Sequence, residues 1–136
     1  MKRLLSTAYS DTLFNLGTFM LRLVVGILMC MNHGIPKIVN FGEWQNTFFD
    51  PFQFGHRWSL LLSIFAEALA PVFLVLGFLS RIAALLLVID LGVAIFLFNK
   101  YNPISRFEDA ILFFVSSLFI VMVGPGKISV DALTGK

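Results

Sequence analysis

Arg22, Glu67 and Asp90 each interrupt a different long run of apolar residues. An ionised side chain at the middle of a bilayer costs at least ~2.5–3.5 kcal/mol, so three of them in three runs point to one shared polar site. A guanidinium and two carboxyl groups could exchange a proton, bind the polar end of a ligand, or simply clasp helices together. One arginine against two acids also leaves an excess of carboxyl, which a shared proton or a further cation would offset.

Other polar residues gather toward one end of the same runs: Asn32, His33 and Lys37 after the first, Glu108 and Asp109 at the start of the last. His33, Lys37 and Glu108 are further candidates for ligand binding or proton exchange. Glu108 and Asp109 equally suit a helix N-terminus, where the macrodipole favours negative charge. His33 and His56 do not form a pair facing across a bundle, so neither haem nor a metal site is expected. A single cysteine, Cys30, allows no internal disulfide, CxxC pair or thiolate cage. No self-sufficient catalytic motif is present, and whether the chain is an enzyme stays open.

The elements that must position these residues are membrane helices. Hydrophobic residues make up 58% of the 136 and charged residues 13%, with a mean hydropathy of +0.89, and the charges fall between apolar runs. Ten basic residues without a dense basic stripe give little footing for nucleic acid. Four spans are predicted, at about 12–34, 59–78, 81–98 and 107–124, as one all-α transmembrane four-helix bundle occupying residues 1–136. Gly77 to Arg81 makes a tight hairpin, Asn102-Pro103 precedes the fourth span, and Gly124-Pro125-Gly126 stops it.

Threading these spans alternately puts Arg22, Glu67 and Asp90 within about one helical turn of the same depth. Asn15, Thr18, Gly26, Met29 and His33 share a face with Arg22, Ser63 and Ala70 with Glu67, and Ala83 and Ala94 lie near Asp90. Pro71 cannot donate the hydrogen bond that the Glu67 carbonyl would accept, so a free carbonyl and a hydrated site are expected beside the carboxylate.

Residues 35–58 read as an interfacial loop, whose Trp44, Phe48, Phe49, Phe52, Phe54 and Trp58 suit headgroup level, or alternatively as a lid over a site. An even number of spans places both termini on one side. Lys2, Arg3, Arg81, Lys127 and Lys136 against Lys37, Arg57, Lys100 and Arg106 favours cytoplasmic termini in a cytoplasmic (inner) membrane. Met1 to Leu5 opens like a signal peptide, but Ser6 to Asp11 is polar and no cleavage is expected.

Leu21-Arg22-Leu23, Gly26 and His33-Gly34-Ile35-Pro36-Lys37 resemble the opening signature of the DoxX family of small membrane proteins. Glu67, the hairpin Leu76-Gly77-Phe78-Leu79-Ser80-Arg81, Glu108 and the string Gly124-Pro125-Gly126-Lys127-Ile128-Ser129-Val130-Asp131 look like its later landmarks. Asp90 and the long aromatic loop match no landmark. The resemblance implies a redox- or quinone-related membrane role, with quinone as the expected cofactor class and a membrane or redox protein as partner.

Three functions stay open on the residues. One is an accessory subunit binding a small amphipathic ligand, a second is a proton-coupled carrier or exporter, and a third is a structural scaffold. A homodimer would give a carrier eight helices, although no decisive GxxxG face is present.

Overall fold

The computed structural model describes residues 10–135, and these fold into helices with no strand among them. The signal-like start at Met1 to Leu5 and the charges Lys2, Arg3 and Lys136 lie outside the described residues. The first helix, α1 (Asp11–Val39), runs through Pro36 instead of ending at Gly34. A proline inside a helix lacks an N–H and crowds the preceding turn, which ordinarily costs ~3 kcal/mol. Here that turn, Cys30–Gly34, opens to π register, and the Ile35 N–H donates to the Cys30 carbonyl.

A short helix, α2 (Phe41–Trp44), begins the segment leading to α3 (His56–Leu76). Pro71 repeats the device in α3: the turn Phe65–Leu69, which carries Glu67, is widened, and the Ala70 N–H donates to the Phe65 carbonyl. The third long helix, α4 (Ser80–Phe98), ends on a widened turn at Ala94–Phe98 without a proline. Asn99 closes it by donating both its backbone and side-chain N–H to the Ala94 carbonyl.

The helices α1, α3 and α4 are each long and apolar enough to cross a membrane. The next, α5 (Glu108–Val123), has 16 residues, about 24 Å of helix, against the roughly 20 residues a span usually takes. It lies along α4, and a final turn, α6 (Val130–Leu133), completes the described chain. The all-α class therefore holds, with three helices of sufficient length to cross a membrane among the described residues.

The core is made where α1, α3, α4 and α5 meet, through Val25, Met29, Ala70, Leu74, Ala83, Ala84, Leu87, Leu91 and Ile120. Small residues set the close approaches. A Cβ on Gly26 would lie 2.5 Å from Val75 Cγ2 and 2.9 Å from the Pro71 carbonyl oxygen. One on Gly34 would collide with the Glu67 carbonyl and come within 2.6 Å of Ala68 Cα. The two proline-widened turns thus pack on each other, with Gly34 as the point of contact.

Gly34→Ala is accordingly expected to destabilise the protein by ~1–3 kcal/mol, because the obstructing atoms are backbone and cannot rotate away. Gly17→Ala is the control: nothing lies within 4 Å of the added carbon, and helix propensity gains up to about 1 kcal/mol. Thermal unfolding of both variants in the same detergent measures the contrast.

Candidate intramembrane site

Arg22 does not meet Glu67 and Asp90. Its side chain is fully buried, and its guanidinium donates to the Leu74 carbonyl at 3.1 Å and to the Ile128 carbonyl. The reason is register. Gly34 stands opposite Glu67, while Gly26 stands opposite Pro71 and Val75, so Arg22 falls at the level of the α3–α4 turn. The rise from Arg22 to Gly34 is about 18 Å. The last turns of α1, rather than its centre, stand opposite Glu67, and the long Arg22 side chain reaches the Leu74 carbonyl on α3 and the Ile128 carbonyl in the C-terminal segment instead.

That segment is stitched to the hairpin by Asp131. Its two carboxylate oxygens accept from the Leu79 and Ser80 N–H groups at 2.8 and 2.9 Å, and its own N–H donates to the Gly77 carbonyl at 2.8 Å. Gly77 is left-handed (φ 72°), and any Cβ there would meet Arg22 and Ser129. Asn15, on the expected inward face of α1, accepts from the Lys127 N–H at 2.7 Å. Arg22, Asn15 and Asp131 together form a structural clasp at the turn end of the molecule.

The second cluster lies toward the opposite end. Lys37, carried inward by the last turns of α1, forms an ion pair with Glu67 and donates to Ser63 Oγ at 3.0 Å. Glu67 and Ser63 are both buried. Asp90, at matching depth on α4, is within interaction range of the Glu67 carboxyl, the Lys37 ammonium and the Ser63 hydroxyl. The extra cation that the charge imbalance called for is Lys37. Two acids, one ammonium and a hydroxyl can together donate and accept hydrogen bonds and pass a proton among themselves.

These groups line a cavity of about 780 Å³, walled by α3, α4, the start of α5 and residues 44–54. Trp44, Phe48, Phe49, Phe52 and Phe54 all contribute to its wall, so this strap borders the cavity. Phe48 places its ring 5.7 Å from Lys37 Nζ, and Phe49 packs edge-on against Phe98 at 5.2 Å. His33 lines the cavity and packs edge-on against Phe113 at 5.9 Å. Glu108 is exposed at the start of α5 and is not part of the wall, whereas its neighbour Asp109 is.

Asp50 holds the strap in shape. Its carboxylate accepts from Ser59 Oγ and the Gly55 N–H, both at 2.7 Å, and from the Phe54 N–H at 3.1 Å. The Ser59 hydroxyl, assisted by the Gly55 and Phe54 N–H groups and by His56, keeps this carboxyl below its ordinary 3.8 against the opposing effect of burial. A depressed carboxyl stabilises the fold above its unfolded value and ceases to do so as pH falls through the folded one. The Phe54 and Gly55 amides should therefore stay protected from hydrogen exchange above about pH 3.8 and lose protection below it. Asp50→Asn should weaken that protection at neutral pH.

Sequence reasoning missed the roles of Asp50, Ser63 and Asp131. Asp131 and Ser63 were visible only as members of a motif and of a helix face, and the partners that define them are distant in sequence.

No curated protein and no solved structure matches the chain. The family model DoxX matches residues 17–100, which include Arg22, His33, Lys37, Glu67 and Asp90 and stop before Glu108. Spanning more than half the sequence, that match places the chain in the DoxX family of membrane proteins.

Proposed function

We propose that this DoxX protein binds the polar head of a small amphipathic molecule, a quinone by the chemistry its family resemblance implies, as a redox-linked accessory subunit. The observation that carries the reading is the Lys37–Glu67 ion pair, with Asp90 and Ser63, in a cavity walled mostly by aromatic and apolar side chains. Concave, mostly apolar sites with a few convergent polar groups are the usual form of small-molecule sites. A quinone oxygen would accept from the Lys37 ammonium. Its reduction to a quinol takes up two electrons and two protons; in this reading Glu67 and Asp90 would relay the protons, and a partner protein would supply the electrons.

In this reading α5 makes a fourth, thin crossing. Asp109 and Ala110 at its start line the cavity, and Gly124 at its end lies against Arg81 at the start of α4, so it covers nearly the depth that α4 does. Both chain ends then share the side of the α3–α4 turn, taken as the cytoplasmic face of the inner membrane.

Binding of a short-tailed quinone, followed by quenching of Trp44 fluorescence in a Trp58→Phe background, tests the proposal. Lys37→Met should raise the Kd about tenfold or more; unchanged binding would remove the site. A second reading, a proton-coupled carrier, is favoured by the surplus of carboxyl over ammonium in the cluster. It predicts substrate flux in proteoliposomes that Glu67→Gln abolishes.

A further inference from the structure

The α3–α4 hairpin is closed at one end only. From Gly77 to Glu67 the helices meet through the buried residues Ala70, Leu74, Ala83, Ala84 and Leu87. Beyond Glu67, His56–Ile64 packs chiefly on Ile35–Val39 and Phe41–Trp44, and so diverges from α4. The cavity fills the wedge that this leaves.

Two residues of its wall, Leu62 on α3 and Ile89 on α4, are each 57% exposed. A side chain that lines a cavity and is also more than half exposed marks the place where the cavity meets its surroundings. Both residues are apolar, both lie within helices long enough to span a membrane, and Ile89 is adjacent in sequence to Asp90. Their exposure points to a slot between α3 and α4 in the flank of the bundle. A second rim, with Arg106 and Asp109 exposed beside the strap, faces headgroup level.

Resting on the ligand site proposed above, we infer that the slot between Leu62 and Ile89 is a lateral portal, and that the occupant is a bilayer-dissolved molecule whose linear apolar tail lies out through it. The head sits against Lys37, Glu67 and Asp90, and the tail never leaves the apolar phase. A charged head would have to shed its water inside the membrane, so the portal selects neutral heads that hydrogen-bond. The strap lies across the polar end, with Phe48 over Lys37, Phe49 over Phe98, and Asp50 tying the segment to α3 through Ser59, while Phe52, Phe54 and Phe98 of that rim are themselves more than half exposed.

The test uses the full chain in nanodiscs and two radiolabelled quinones, a decyl-substituted benzoquinone and tetramethylbenzoquinone, which has no tail. Leu62→Trp with Ile89→Trp narrows the slot at two lipid-facing positions. It should weaken decylquinone binding about tenfold or more while leaving the tailless quinone within about twofold, which also reports that the site is intact. Separately, Phe49→Cys and Phe98→Cys, in a Cys30→Ala background, can be joined by a short thiol-reactive linker that pins the strap to α4. Pinning should not alter decylquinone binding relative to the unlinked double variant. If the tryptophans change neither quinone or remove both alike, or if pinning excludes decylquinone, the portal is wrong while quinone binding by the parent protein keeps the site. Failure of the parent protein to bind either quinone overturns site and portal together.

Discussion

Arg22→Met is expected to be among the most destabilising substitutions in this protein while leaving the cavity's chemistry in place. The guanidinium is fully buried and satisfies two carbonyls from segments far apart in sequence, those of Leu74 and Ile128. Removing the donor strips the Ile128 carbonyl of this partner and leaves the Leu74 carbonyl with the Gly77 N–H alone, the loss of a charged donor to two acceptors costing ~1–3 kcal/mol each. It also takes a positive charge from the vicinity of Asp131, whose carboxylate caps the start of α4. A loss of ~3–5 kcal/mol is expected, the range seen when one partner of a buried ionic arrangement is removed. Denaturation in mixed micelles measures it, and limited proteolysis should cut first between Gly124 and Asp131 as that segment comes away. Arg22→Lys should recover only part, since a point ammonium cannot donate along both directions of the guanidinium plane. Quinone affinity of the folded fraction should be unchanged, because Arg22 lies about 18 Å of helical rise from Gly34, the residue opposite Glu67. If Arg22→Met instead abolished binding and spared stability, the assignment of Arg22 to the structural clasp would be wrong.

That prediction reverses the role the sequence suggests, and the reversal shows which information was local. Hydropathy locates the membrane-length helices because apolar side chains must face lipid wherever the chain crosses. Periodicity gives the inward face of α1 correctly: Asn15, Thr18, Arg22 and Gly26 all contact other segments or are buried. Depth was not legible. It depends on where α1 ends, and Pro36 is a stop signal by every local rule. The widened turn at Cys30–Gly34 lets the helix absorb the missing donor, and that added length carries Lys37 inward to Glu67. The match in depth of Glu67 and Asp90 could be read because both lie the same distance from a hairpin whose position was secure. Glu108, read as a candidate, stays at the surface because it opens its helix.

The strap was ambiguous for a related reason. Aromatic residues suit both headgroup level and a ligand cavity, since a ring is apolar at one end and tolerates water at the other. Only the long-range contacts, Phe49 with Phe98 and Phe48 with Lys37, distinguish a cover from a belt.

The sharpest division between a functional site and a helix clasp comes from removing the Lys37 cluster piecemeal and then whole. Lys37→Met leaves the Glu67 and Asp90 carboxyls facing each other with no cation, whereas Glu67→Gln leaves Lys37 a remaining acid in Asp90. The lysine variant should therefore lose more stability, approaching the ~3–5 kcal/mol typical of a broken buried pair, and the glutamine variant clearly less. Lys37→Met, Glu67→Leu and Asp90→Leu combined restore an apolar interior of similar volume. Such replacements are commonly neutral or stabilising by ~1–4 kcal/mol, so the triple variant should recover the parent's resistance to denaturant. Recovery of stability is what both readings expect, and ligand binding is where they part. A clasp has no further duty once the helices hold, and would leave quinone binding as it was. A site loses its only ammonium and both acids, so the stable triple variant should bind no quinone. Equilibrium denaturation and quinone titration on the same three preparations decide between them: a stable triple variant that still binds would reduce the cluster to packing.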